Sequence, residues 1–244
     1  MSNWADLTRD EVAMAARSGA VAVLPVGAVE QHGAHLPTGT DTLLVAHAVE
    51  DAVARTGDIA LPVLSYGCSL GHTEHWPGTL SLNVATMTAI VGDIGRWVHA
   101  SGFRKLVVLN SHATNGPSCQ GALLTLRYEL PTLRTLFASL YDITPRASAG
   151  YLADAADPHA NGAETSMLLH ITPDLVQGDL IVDEDDRSVG RLLTYSMPEV
   201  TRSGVVGRPS EATALAGDAL FSSIVDGIAD LLVRVRAETD PLAV

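Results

Sequence analysis

Little in this 244-residue chain is cysteine, aromatic or basic. Two cysteines, Cys68 and Cys119, are too few for a disulfide framework or a thiolate-rich zinc fold. Only 15 Lys and Arg stand against 28 Asp and Glu, a formal charge of −13, which disfavours phosphate backbones as partners and speaks against nucleic acid. No run of about 18 uncharged apolar residues occurs, so no membrane span is expected. The first ten residues lack a basic stretch leading into an apolar one, so a secretory signal is not expected either and the cytoplasm is the expected compartment. Aromatics make up 5%, yet apolar residues reach 47%, enough to exclude disorder. Against these shortages stand nine histidines and a surplus of carboxylates.

The periodicity alternates between buried strands and amphipathic helices. Strands are predicted over residues 21–26, 59–64, 105–109 and 135–140, each a short apolar run. Between them Leu44, Val45, Ala48, Val49, Ala52 and Val53 recur at helical spacing, with Gly57 as a stop. Asn83 caps a predicted helix reaching Ala100, and further helices are expected over 117–129, 162–169 and 212–236. Strands separated by helices imply parallel pairing, hence a three-layer α/β/α sandwich with a mainly parallel central sheet. The stretch from Asp142 to Asp157 is the most linker-like, and 183–187 reads as a solvated polar loop. Neither divides the chain, so residues 1–244 are read as one domain.

Three constellations carry chemistry. Glu30 and His32 follow the first strand two residues apart, a spacing that in extended chain aims both side chains one way. Asp41 precedes a helix, where it either joins a metal or caps the helix. His112, in Asn110-Ser-His-Ala-Thr-Asn115, follows the third strand, at the carboxyl end where open parallel sheets bind ligands. His159 and Glu164 flank the start of a later helix, where a carboxylate also answers to the helix dipole alone. A fourth segment, Gly71-His72-Thr-Glu-His75-Trp76-Pro-Gly78, has the composition of an ordered loop lining a pocket. His72, His75 and Trp76 are candidates for touching substrate, as is Asn115, while His47, His99 and His170 read as packing or surface residues.

Glu30-Gln-His-Gly-Ala-His-Leu-Pro37 with Asp41, Trp76-Pro-Gly-Thr-Leu-Ser-Leu82, Asn110-Ser-His-Ala-Thr-Asn115, and His159 with Glu164-Thr-Ser166 together resemble the motifs of the creatininase family of metal-dependent amidohydrolases. The resemblance implies two divalent metals, zinc or manganese, in a homo-oligomer that is often a hexamer. It implies Glu30, His32, Asp41, His112 and Glu164 as ligands, Asp41 as the bridge, and His159 as the catalytic histidine that passes a proton to the leaving nitrogen. A donor set of nitrogen and oxygen without thiolate independently suits those metals. Where creatininase proper has an aromatic and a glutamate after the histidine, this chain has Ala113 and Thr114. Where it has Trp-Asp, this chain has Ala153 and Asp154. The wall that would sandwich a flat cyclic guanidine is thus partly missing. The expected reaction is hydrolysis of a cyclic amide or other C–N bond in a small carbonyl substrate. A formamide, a short peptide or a cyclic ketone is the alternative within the family, and a silent metal-binding scaffold the alternative outside it.

Overall fold

The computed structural model describes residues 3–242. Helix α1 (Arg9–Arg17) leads into strand β1 (Ala22–Val26) and helix α2 (Thr40–Thr56). Strand β2 (Ile59–Ala60), helix α3 (Val84–Ala100), strand β3 (Lys105–Asn110) and helix α4 (Gly116–Glu129) follow. Strand β4 (Arg134–Ser139), helices α5 (Pro145–Tyr151) and α6 (Gly162–Ile171), the single-turn α7 (Met197–Val200) and the long α8 (Ala214–Ala237) complete the chain.

The sheet runs β2-β1-β3-β4, every pairing parallel. All five residues of β1 are buried, as a strand covered on both faces requires. Val21, Val23, Val107 and Leu109 pack towards α2, α6 and α8, while Ala22, Leu24, Leu106 and Val108 pack towards α3 and α4. Alternate side chains therefore feed two separate cores, and the expected three-layer sandwich is the architecture found.

Several boundaries differ from expectation for identifiable reasons. The strand expected over 59–64 pairs regularly only at Ile59–Ala60. Pro62 has no N–H to give, and the ladder resumes as a lone bridge between Val26 and Leu64. The supposed linker over 142–157 contains α5, whose start is capped by Thr144 accepting from Ala147 N at 3.0 Å. Helix α1 was not anticipated, although Thr8 and Glu11 form a capping box.

The polar run 183–187 is not simply solvated. Glu184 is buried, and its carboxylate accepts from Thr201 Oγ1 at 2.7 Å and from Arg202 N and Ser203 N, both at 2.9 Å. One carboxylate thereby pins the irregular 184–207 segment behind the site.

The register Val26↔Asn110 sets the ends of β1 and β3 side by side, so the loops leaving them emerge into one crevice. Gly27 makes the approach possible, because a Cβ there would stand 2.5 Å from the Cα of Thr42.

Candidate metal centre and active site

Glu30 and His32 lie on the loop leaving β1, Asp41 in the first turn of α2, His112 just past β3, and Glu164 in the first turn of α6. Asp41 does not cap its helix, since the cap position is Gly39 and carries no side-chain bond. Asn161 Oδ1 accepts from the Glu164 backbone N at 3.2 Å, so the cap is supplied by Asn161, and Glu164 Oε2 is left without a partner among the described residues. Exposure is 0% for Glu30, 1% for His32, 2% for Asp41, 6% for His112 and 7% for Glu164.

The imidazoles are oriented by main-chain carbonyls, which can only accept. His32 donates Nδ1–H to Glu30 O at 3.1 Å, which turns a bare Nε2 toward Asp41 Oδ1 at 3.9 Å. His112 donates Nε2–H to Cys68 O at 3.0 Å and presents Nδ1 to Asp41 Oδ2 at 3.6 Å. His159 donates Nε2–H to Gln31 O at 2.8 Å and presents Nδ1 to Glu30 Oε1 at 3.5 Å. In each case the ring turns an unprotonated nitrogen toward a carboxylate oxygen. Both oxygens of Glu30, Asp41 Oδ2 and Glu164 Oε2 are buried without a hydrogen-bond partner. Two of these orphaned oxygens, Glu30 Oε1 and Asp41 Oδ2, face bare imidazole nitrogens, and together the four form a cradle for cations. The groups Glu30, His32, Asp41 and Glu30, His72, His159 each bring one ligand atom per residue within 4.8 Å of the others.

Without a cation the cluster is driven toward neutrality. Burial pushes Glu30 up to about 8 and Glu164 to about 7, with the Glu164 charge adding to the effect on Glu30. Burial, with the charges of Glu30 and Glu164, raises Asp41 well above its ordinary value. Burial likewise holds His112 down to about 4 and His32 and His159 well below the usual range. A bound divalent ion reverses that logic, because it favours ionised carboxylates and neutral imidazoles together.

The cluster forms the floor of a cavity of about 500 Å³. Its walls include His72, Tyr141, Tyr151, Tyr195 and Met197, and neither Lys nor Arg lines it. His159 is clamped from behind by the glycine-rich turn near 204, since its N–H donates to Val206 O at 3.1 Å and its carbonyl accepts from Val206 N at 2.8 Å. The residue after it, Ala160, is fully buried with φ 50, a left-handed backbone that a non-glycine residue adopts only when its surroundings enforce it.

Not every expected site residue is there. His75 and Trp76 stand outside the cavity lining and stack edge-on against each other, ring centroids 4.5 Å apart, with His75 exposed. Asn115 is buried with both ends of its amide engaged. Its Oδ1 accepts from Cys68 N at 2.8 Å, and its Nδ2 donates to Gly27 O at 2.9 Å and Asn110 Oδ1 at 3.0 Å. It braces the two strand-end loops and has nothing left for a substrate. His72 does line the cavity, from the short 3-10 turn Leu70–His72, with Nδ1 3.6 Å from Glu30 Oε1. Tyr141, Tyr151 and Tyr195 were not singled out in the sequence. Isolated tyrosines in helical or irregular chain carry no spacing signal. His99 bonds Thr132 Oγ1 at 2.8 Å and His170 lies 3.7 Å from Asp218, both away from the site.

Residues 5–232 match the family model for creatinine amidohydrolase. The chain is 31% identical over 230 residues to the mycofactocin precursor peptide peptidase of Mycolicibacterium smegmatis, covering 90% of this chain and 87% of that protein. It is also 31% identical over 247 residues to the creatinine amidohydrolase of Pseudomonas putida, covering 94% of each. Two solved creatininase structures, one described as Zn-Zn type and one as Mn, superpose with a TM-score of 0.85 at 29% identity, over 98% of this chain and all of theirs. Conserved fold, matched length and a buried His/Asp/Glu cluster able to bind metal agree: the chain belongs to the creatininase family of amidohydrolases.

Proposed function

We propose that this cavity hydrolyses a C–N bond of a small carbonyl compound with the help of two divalent metals, zinc or manganese. The observation that carries the reading is the pair of bare imidazole nitrogens, of His112 and His159, turned onto buried carboxylate oxygens of Asp41 and Glu30 that have no hydrogen-bond partner among the described residues. Glu30, His32, Asp41, His112 and Glu164 would hold the ions, and Asp41, which faces His32 with one oxygen and His112 with the other, would be the carboxylate shared between them. Bound there, divalent ions bring the pKa of a water toward neutrality and polarise a carbonyl.

The remaining roles belong to the polypeptide. His159, anchored through Nε2–H, keeps a bare Nδ1 toward the centre, takes a proton from the attacking water and delivers it to the leaving nitrogen. The tyrosines and Met197 wall off solvent, and His72 borders the substrate. Asp142 and Asp157 lie on the lining and, among the described residues, no Lys or Arg does, so a neutral or cationic substrate is favoured over a carboxylate or phosphate ester. Ala113 and Thr114 also line the cavity, where creatininase proper has an aromatic and a glutamate. That difference, with the likeness to a precursor peptide peptidase, favours as a second reading the same chemistry on the C–N bond of a short peptide.

The test begins with elemental analysis of purified and zinc- or manganese-reconstituted protein, for which up to two equivalents per chain are expected. Absence of bound metal after reconstitution refutes the proposal. His159→Ala is expected to retain the metals and lose ~10²-fold or more in turnover against a panel of lactams, formamides, cyclic ketones and short peptides. If the metals leave with the histidine, His159 is a ligand, as its grouping with Glu30 and His72 would allow.

A further inference from the structure

Gln31 stands between two residues of the proposed metal set, yet its side chain points to neither. Its Oε1 accepts from Gly33 N at 3.0 Å, and its Nε2 lies 3.3 Å from Gly204 O and 3.2 Å from His72 Nδ1. The amide is not free to turn over. Gly33 N requires an acceptor and Gly204 O a donor, so only one orientation satisfies both. One amide proton goes to Gly204 O, and the other is left for an imidazole nitrogen. His159 Nε2 is also near, at 3.1 Å, but its proton is already committed to Gln31 O at 2.8 Å and it has no lone pair to offer. The remaining acceptor is His72 Nδ1.

The surrounding chain is shaped around this amide. Gly204 has φ +78, and a Cβ there would stand 2.0 Å from Gln31 Oε1, so the turn approaches as it does only because residue 204 is glycine. Gln31 N donates to Thr79 Oγ1 at 3.0 Å, which ties the same residue to the loop that carries His72. The His72 and His159 rings meet edge-on with centroids 4.5 Å apart, so the orientation of one constrains the other.

We infer that Gln31 is a positioning residue that sets the tautomers of two site imidazoles, His159 through its main-chain carbonyl and His72 through its side-chain amide. Each ring then carries its proton on Nε2. His159 retains a bare Nδ1 toward Glu30, whereas the Nδ1 of His72 is occupied by an amide proton and unavailable to a metal. His72 is thereby a hydrogen-bond donor at the cavity wall, suited to a substrate oxygen, and not a further ligand through Nδ1. Its part toward substrate rests on the proposed function, but its protonation pattern does not.

Neutron diffraction from hydrogen/deuterium-exchanged crystals of the full chain, zinc-loaded and zinc-free, reads this pattern directly. The expected map has deuterons on Nε2 of both His72 and His159, none on either Nδ1, and one amide deuteron of Gln31 aimed at His72. A deuteron on His72 Nδ1, or zinc bound to that atom, overturns the inference. In Gln31→Glu the amide donor becomes an acceptor, so the His72 deuteron is expected to move to Nδ1 while that of His159 stays on Nε2. A His72 deuteron that stays on Nε2 alone in Gln31→Glu also overturns it. Should that variant not fold, the wild-type map still decides. Failure to bind zinc counts against the proposed function and leaves the deuteron positions of zinc-free crystals to judge this inference.

Discussion

Glu30→Gln is expected to make the metal-free protein more stable and the zinc-treated protein less so. Glu30 is fully buried, both of its oxygens lack a partner, and burial pushes it up to about 8 from an ordinary 4.5. A carboxyl raised in the folded state contributes its full stability below about pH 4.5 and loses it as pH rises toward 8. At pH 7 about 2.5 pH units of that window have been crossed, and at ~1.4 kcal/mol per unit the loss is ~3 kcal/mol. An isosteric amide escapes this cost and has an N–H to offer the bare Nδ1 of His159, 3.5 Å from Glu30 Oε1. In EDTA at pH 7 the variant should therefore melt roughly 6–12 °C above wild type, at about 2–4 °C per kcal/mol for a chain of this size. With zinc the order reverses, because wild type gains binding energy that the neutral amide cannot supply. Thermal melts of both proteins, in EDTA and in zinc, across pH 5–8, provide the assay. A variant that melts at or below wild type in EDTA, or zinc that stabilises both proteins equally, refutes the reasoning.

Other expectations concern the supporting structure. Neutralising hydrogen bonds from Ser203, Thr201 and Arg202 hold Glu184 well below its usual range despite its burial, so it stabilises above the ordinary carboxylate range and that contribution fades as pH falls. Glu184→Ala should cost ~2–4 kcal/mol in urea unfolding and expose the 184–207 segment to limited proteolysis, and resistance equal to wild type would contradict its anchoring role. Tyr151 carries a buried hydroxyl with no partner. Tyr151→Phe should leave the metal-free melting temperature unchanged or slightly raised, and a drop of several degrees would reveal a bond the present geometry lacks.

Much of the candidate site was legible because chemistry and position coincided. Glu30, His32 and His112 sit at the ends of apolar runs, where the sheet itself points to a crevice, and Glu164 becomes a candidate only once the other motifs give it company. Asn115 misled because a sequence shows an amide but not its partners, and here three backbone and side-chain groups had already claimed it. His72, His75 and Trp76 share one loop, and nothing in their order tells which faces inward. A 3-10 turn at Leu70–His72 decides it. Glu184 looked solvated amid Asp183, Asp185 and Asp186, since burial of one member of a charge run depends on donors some 20 residues away. The sandwich was read from period alone, whereas the short β2 turned on the missing N–H of Pro62.

The proposed ligands come from the loop after β1, the start of α2, the loop after β3 and the start of α6, with most of the chain between first and last. Glu30, His32 and Asp41 are close in sequence, but the full set cannot meet until the sheet is paired and α6 has docked on α2 and α8, non-local contacts that carry a loop-closure cost. Metal bound at such a place would reward the finished molecule and not its nucleus. Its effect would fall on the rate of opening, with little on the rate of folding, so the centre would act as a latch on lifetime as well as a seat for chemistry.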